Sequence, residues 1–191
     1  LLWRMNVRRL EAETIRDATL AVTGRLNPQR FGEPVGVAED ANAQVVIGSK
    51  EPSSDGREFR RSIYVQQRRS ALPYQLAVFD SPQMEPNCEA RNISTVAPQS
   101  LLLMNSSFVV EQSRAFAKRV MSEAGDDVSK QAARAWELAF GRQPAAQDHR
   151  DAAAYLTEQT KSLPAGSDAA EKALASLCQA LLGSNPFLYI E

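Results

Sequence analysis

The sequence predicts a mainly α domain, a bundle-like set of five to six helices carrying a small antiparallel β element. Three observations lead there. Apolar residues recur at three- and four-residue spacing over the second half of the chain, as in the stripes Val128, Ala132, Trp136, Phe140 and Leu174, Leu177, Cys178, Leu181, Leu182. Helix-stopping residues punctuate those stripes at Gly125, at Gly141 with Pro144, and at Gly183. The β-prone Val45-Val46-Ile47 and the alternating stretch around Ile63 and Val65 place a β element near residues 44–70.

Taken in order, residues 7–23 read as an amphipathic helix with Ile15, Ala18, Val22 and Leu26 on one stripe, and Arg9 and Glu13 as an i,i+4 pair. Gly24 suits a left-handed helix end, and Asn27-Pro28 blocks continuation. Residues 28–58 are irregular except for the β-prone Val45-Val46-Ile47, and Ser53–Glu58 is a turn. RRSIYVQQRR alternates like a strand, with Ile63 and Val65 on one face, and is expected to pair with 45–47 as a hairpin. Residues 73–79 form a short helix.

The next helix places Pro98 in its first turn with Ser94 or Thr95 as cap, and the polar run Asn105-Ser106-Ser107 breaks it from a helix ending at Gly125. Helices over 128–140, 145–162 and about 168–182 follow, Ser167 capping the last. The expected core holds Trp136, Phe140, Phe108, Phe116, Leu177 and Leu181. We read residues 1–191 as a single domain with subregions 1–125 and 126–191. The abrupt opening LLWRMN suggests a C-terminal piece of a longer polypeptide.

The formal net charge is −1, which does not favour nucleic acid as a partner, and the absence of an 18-residue apolar run predicts no membrane span. His149 is the single histidine, set among charged residues, so a surface position is expected and a His-dependent triad is not. HExxH, P-loop, GxGxxG and CxxCH motifs are all missing, so no cofactor, no metal and no haem attachment is expected in this segment. Cys178 lies on an apolar helix face and reads as a small core hydrophobe.

The stretch FDSPQMEPNCEARNISTVAPQS, from Phe79 to Ser100, holds the candidate site. Asp80, Asn87, Cys88 and Arg91 bring an acid, an amide, a thiol and a guanidinium close together in sequence. As a pair, Asp80 and Arg91 close a proline-rich loop; as a site, the four residues bind a carboxylate or a hydroxylated ligand. Cys88 is a buried anchor, a disulfide partner of Cys178, or a thiolate activated by Arg91. A second candidate is the arginine set around the expected strand. Arg61 and Arg69 share its parity and define either an anion or partner-domain docking face, or solvated edge protection.

RRLEAETIRD, RRSIYVQQRRS, the Phe79–Ser100 stretch continuing to LLLMNSSF, AFGRQP and LCQALLGSNPFLYIE occur in order. Together they resemble the C-terminal domain of unknown function of large planctomycete proteins that carry an N-terminal cytochrome-c-like domain. The resemblance spares residues 29–57. One local departure is Ala145-Ala146-Gln147-Asp148 where the family has a threonine-x-x-glutamate helix start, which weakens that cap.

The resemblance implies a periplasmic or cell-surface protein whose parent carries c-type haem. It implies other domains of the parent as partners and polysaccharide as a further partner class. It assigns no role to any residue. Three functions follow for comparison: an interaction or scaffold module without turnover of its own; a carbohydrate-binding or carbohydrate-active domain sited near Asp80, Cys88 and Arg91; and electron transfer, for which this segment lacks a haem-attachment signal.

Overall fold

The computed structural model describes residues 5–48, 53–82, 94–164, 166 and 168–190. The chain divides into two compact units. One comprises Arg9–Ala21 and Arg25–Leu102; the other comprises Leu1–Arg8, Val22–Gly24 and Leu103–Glu191. As expected, the protein is mainly α, with eight α-helices among the described residues, two of them only four residues long.

The first unit is rich in loops. It contains most of α1 (Ala12–Val22), all of α2 (Tyr74–Ala77) and the start of α3 (Ala97–Asn105). α1 buries Ala12, Ile15, Arg16, Thr19 and Leu20 on one face. It starts at Ala12 rather than residue 7, so Arg9 precedes the helix and the expected Arg9–Glu13 pair gives way to Arg9–Asp80. The β element is an antiparallel pair in which Val37–Glu39 faces Val45–Ile47, with Ala38 opposite Val46. Asp40 shapes the turn between them: its Oδ1 accepts from the backbone N–H groups of Asn42 and Gln44. Val37-Ala38-Glu39 escapes a pattern reading because it is short and lies between Gly36 and the polar turn.

The strand expected over 61–69 is not formed. Arg57–Phe59 and Ser62–Tyr64 are single 3₁₀ turns, closed by bonds from Arg60 N–H to the Arg57 carbonyl and from Val65 N–H to the Ser62 carbonyl. Side chains of α1 override the alternation. The Asp17 carboxylate accepts from both Ser62 N–H and Ser62 Oγ at 2.7 Å, and Arg16 donates to the Arg60 carbonyl at 2.9 Å. Arg61 therefore flanks a 3₁₀ turn and leans on Asp17 at 3.4 Å, while Arg69 sits in a later turn; the two are not members of one strand face.

The second unit is a helix assembly of α4 (Ser107–Ala124), α5 (Val128–Phe140), α6 (Ala146–Ser162), α7 (Ala169–Leu182) and α8 (Asn185–Leu188). α7 packs against α4, α5 and α6, and buries Ala173, Leu174, Leu177, Cys178, Leu181 and Leu182. Phe116, Ala117 and Val120 of α4 are fully enclosed. The helix boundaries follow the sequence signals. Ser106 separates α3 from α4, and Gly125 and Gly141 end their helices at positive φ. Outside the sequence expectations, Asp127 caps α5 by accepting from Ser129 and Lys130 N–H. Ser167 lies outside the described residues. Ala145 begins α6 without a side-chain cap, as the departure from the family pattern implies.

Three of the six expected core residues, Phe116, Leu177 and Leu181, are buried. Trp136, Phe140 and Phe108 are only half-buried. On α5 the enclosed positions are Gln131, Ala132 and Ala135, small or hydrogen-bonded side chains that permit close helix approach. Trp136 and Phe140 instead flank that face and pack edge to face, ring centroids 4.9 Å apart. The chain adds the short α8 beyond the expected helices; Pro186 sits in its first turn and Phe187 is buried.

Candidate functional site

Asp80 sits at a helix end with a definite geometry. The N–H of Ser81 bonds to the Leu76 carbonyl, and the N–H of Asp80 bonds to the Ala77 carbonyl. This is the paired-bond termination that usually places glycine in the left-handed position. Here Asp80 takes that position with φ 62°. An L side chain there costs about 1–2 kcal/mol relative to glycine, so the carboxylate has to return something.

It does so through two partners. The Arg9 guanidinium donates from Nη2 to Asp80 Oδ2 at 2.6 Å and to the Phe79 carbonyl at 3.3 Å. Ser94 donates its N–H to Oδ2 at 2.8 Å and its hydroxyl to Oδ1 at 2.8 Å. Ser94, expected as a helix cap, thus serves the carboxylate, and Asp80 ties position 80 to position 94. Gln99 completes the cluster. Its Nε2 donates to the Val78 carbonyl at 3.0 Å and the Ser94 carbonyl at 3.2 Å, and its Oε1 accepts weakly from Val96 N–H at the start of α3. Asn87, Cys88 and Arg91 lie outside the described residues.

Two further buried arginines organise the same unit. Arg16 donates to the carbonyls of Arg60 and Glu58 and to Ser62 Oγ. Burial pushes its guanidinium down to about 10, with the nearby Asp17 carboxylate acting the other way, so it stays charged at neutral pH. Arg60 reaches three carbonyls of one turn: Gln29 at 3.3 Å, Phe31 at 2.6 Å and Glu33 at 2.8 Å. It also stacks over Tyr64, 4.2 Å from the ring centroid. The physical logic is common to all three. A unit with little regular structure leaves carbonyls without ladder partners, and a guanidinium with five donors in a rigid fork satisfies several at once.

Two further reactive groups among the described residues, His149 and Cys178, are engaged or enclosed. His149 Nε2 lies 2.9 Å from the Ser129 carbonyl and 3.2 Å from Ser129 Oγ. Cys178 is a free, fully buried thiol, and burial pushes its pKa upward. The alternative of a Cys88–Cys178 disulfide involves Cys88, which lies outside the described residues. Among the described residues no His, Cys, Asp or Glu group could hold a metal ion, and no helix is long and apolar enough to cross a membrane.

Of the predicted site residues, Asp80 is in a polar cluster and Arg61 is beside Asp17, in different parts of the first unit. Arg9 and Gln99, which complete the Asp80 cluster, carried no sequence signal as site residues.

Fold and cluster together define a mainly α protein with a loop-rich unit stapled by buried arginines. The chain belongs to the PSD1 family, proteins of unknown function (DUF1553), whose family model matches residues 1–156. The closing block from Leu177 lies beyond that match. Neither the curated proteins nor the solved structures contain a match to the chain.

Proposed function

We propose that this chain is a non-catalytic interaction or scaffold module of an exported planctomycete protein whose parent carries a cytochrome-c-like domain. Its partners are the other domains of that parent, in a periplasmic or cell-surface setting, and any haem belongs to the parent rather than to this segment. The observation that supports this reading is the inward commitment of its polar chemistry. Asp80, Arg16 and Arg60 direct their hydrogen bonds to backbone and neighbouring side chains, while Phe31, Ile63, Leu101 and Met104 are exposed. The alternative, a carbohydrate-binding or carbohydrate-active site around Asp80, has less support, because both carboxylate oxygens already accept hydrogen bonds.

Cross-linking mass spectrometry on the full-length parent tests this reading. It predicts links from exposed residues of this chain to the rest of the polypeptide. A parent whose links stay within this chain would overturn it, as would turnover of a glycan substrate by this chain alone.

A further inference from the structure

Adjacent basic residues occur in the sequence as Arg8-Arg9, Arg60-Arg61, Arg68-Arg69 and Lys118-Arg119. Three of these pairs are locked by the fold. Arg9 is enclosed and donates to Asp80, and Arg60 is enclosed and donates to the carbonyls of Gln29, Phe31 and Glu33. Lys118 and Arg119 lie inside α4. An endoprotease needs both side chains accessible and the backbone extended, so enclosure or helix protects all three pairs.

Arg68-Arg69 differs on each count. Gln67, Arg68, Arg69 and Ser70 are exposed, and they lie outside helix and strand, between the 3₁₀ turn Ser62–Tyr64 and α2. Arg68 leans on the Gln66 side chain at 3.2 Å, and Arg69 is also engaged, but contacts between exposed side chains yield readily to a competing carboxylate. A turn bond from Ala71 N–H to the Arg68 carbonyl at 3.2 Å opens when the stretch extends. Both ends of the connection are anchored, by Gln66 N–H on the Val35 carbonyl at 2.8 Å and by the fully enclosed Pro73, so that opening stays local.

We infer that Arg68-Arg69-Ser70 is a cleavage site for an endoprotease that reads paired arginines through carboxylates in its subsites, and that the cut chain stays folded. Water adds across the Arg69–Ser70 peptide bond. The C–N bond breaks, the Arg69 carbonyl carbon gains the oxygen and becomes a carboxylate, and the Ser70 nitrogen takes the protons and becomes an ammonium. Contacts on either side of the cut then hold the pieces. In the first unit Arg9, before the cut, binds Asp80, after it, and α2 packs against Val45–Ile47. In the second unit Thr23 Oγ1 donates to Gln112 Oε1 at 3.2 Å, and Arg119 Nη1 donates to the Val22 carbonyl at 2.8 Å. The product is a nicked protein made of residues 1–69 and 70–191.

The test is digestion of the intact protein with a subtilisin-type endoprotease selective for paired arginines, read by mass spectrometry and size-exclusion chromatography. The expected first products are 1–69 and 70–191, eluting together without denaturant and apart in urea. Arg68→Gln with Arg69→Gln should slow the cut about a hundredfold or more, because the subsite carboxylates lose their partners. That variant should melt with the unsubstituted chain, since both side chains are exposed. Low urea, below the unfolding transition, should leave the cleavage rate nearly unchanged, as local opening requires.

A first cut at any of the other three pairs, or no cut, would overturn the inference. So would pieces that separate without denaturant, or a rate that climbs with urea in step with global unfolding. The interaction-module reading does not depend on the outcome, because cross-links to the rest of the parent are measured on the uncut chain.

Discussion

Arg9 and Asp80 meet at 2.6 Å across 71 positions of chain, the guanidinium almost wholly enclosed and the carboxylate side chain 23% exposed. The pair closes the first unit by joining the segment before α1 to the end of α2. The same carboxylate holds Ser94, so one residue ties three distant stretches together.

That arrangement separates two costs at position 80. Asp80→Ala loses the carboxylate and keeps the unfavourable positive φ; Asp80→Gly loses the carboxylate but relieves the backbone. Urea denaturation should rank aspartate above glycine and glycine above alanine, with the two variants about 1 kcal/mol apart. Equal stability of the glycine and alanine variants would contradict the left-handed helix end.

Arg60→Lys should destabilise by about 1–3 kcal/mol, because one ammonium cannot bond three carbonyls and stack on Tyr64 together. Hydrogen exchange should then quicken over residues 28–36 while the protection of α7 changes little. Uniform loss of protection would show instead that Arg60 supports the whole chain.

The two helix starts make opposite predictions. Asp127→Ala removes the cap of α5 and should cost about 1 kcal/mol. Ala145→Ser adds a cap where α6 has none, at an extended backbone position that suits one, and should gain about 0.5–1 kcal/mol. Thermal denaturation of both variants checks the pair.

Cys178 gives a pH signature. Its folded pKa is raised above the ordinary 9.0, so above that pH the unfolded chain releases a proton that the folded chain retains. Stability is therefore lost as pH rises past 9, by up to about 1.4 kcal/mol per pH unit from this group. Cys178→Ala should show a shallower decline between about pH 9 and 10.5 in urea titrations. Alkylation mapped by mass spectrometry should leave Cys178 unmodified until denaturant is added.

The sequence and the structure agree where local signals suffice. α4 to α7 are written in three- and four-residue apolar spacing, with Gly125, Gly141 and Gly183 marking their ends, and Asn105-Ser106-Ser107 marks the break between α3 and α4. Trp136 and Phe140 lie on a correctly placed helix, yet the enclosed face turned out to be the small residues beside them, since close helix approach favours alanine over a large ring. The strand expected at 61–69 failed for a different reason. Its alternation is real, but Arg16 and Asp17 of α1 supply stronger partners to Arg60 and Ser62, and those lie more than 40 positions away. Asp80 was visible as a polar residue in a proline-rich stretch. Its main partner was not, because nothing near Arg9 distinguishes a buried guanidinium from one on a solvated helix face.

Arg9 engages Asp80 as a structural clasp at 2.6 Å. A double-mutant cycle with Arg9→Met and Asp80→Ala, followed by urea denaturation, tests it most directly. The prediction is a large single-mutant cost, about 3 kcal/mol or more for Asp80→Ala, which leaves the enclosed guanidinium without its counter-charge, and a coupling of about 1–3 kcal/mol between the sites. Additive effects with no coupling, or an Asp80→Ala variant as stable as the parent chain, would contradict the clasp and return Asp80 to the ligand-binding reading.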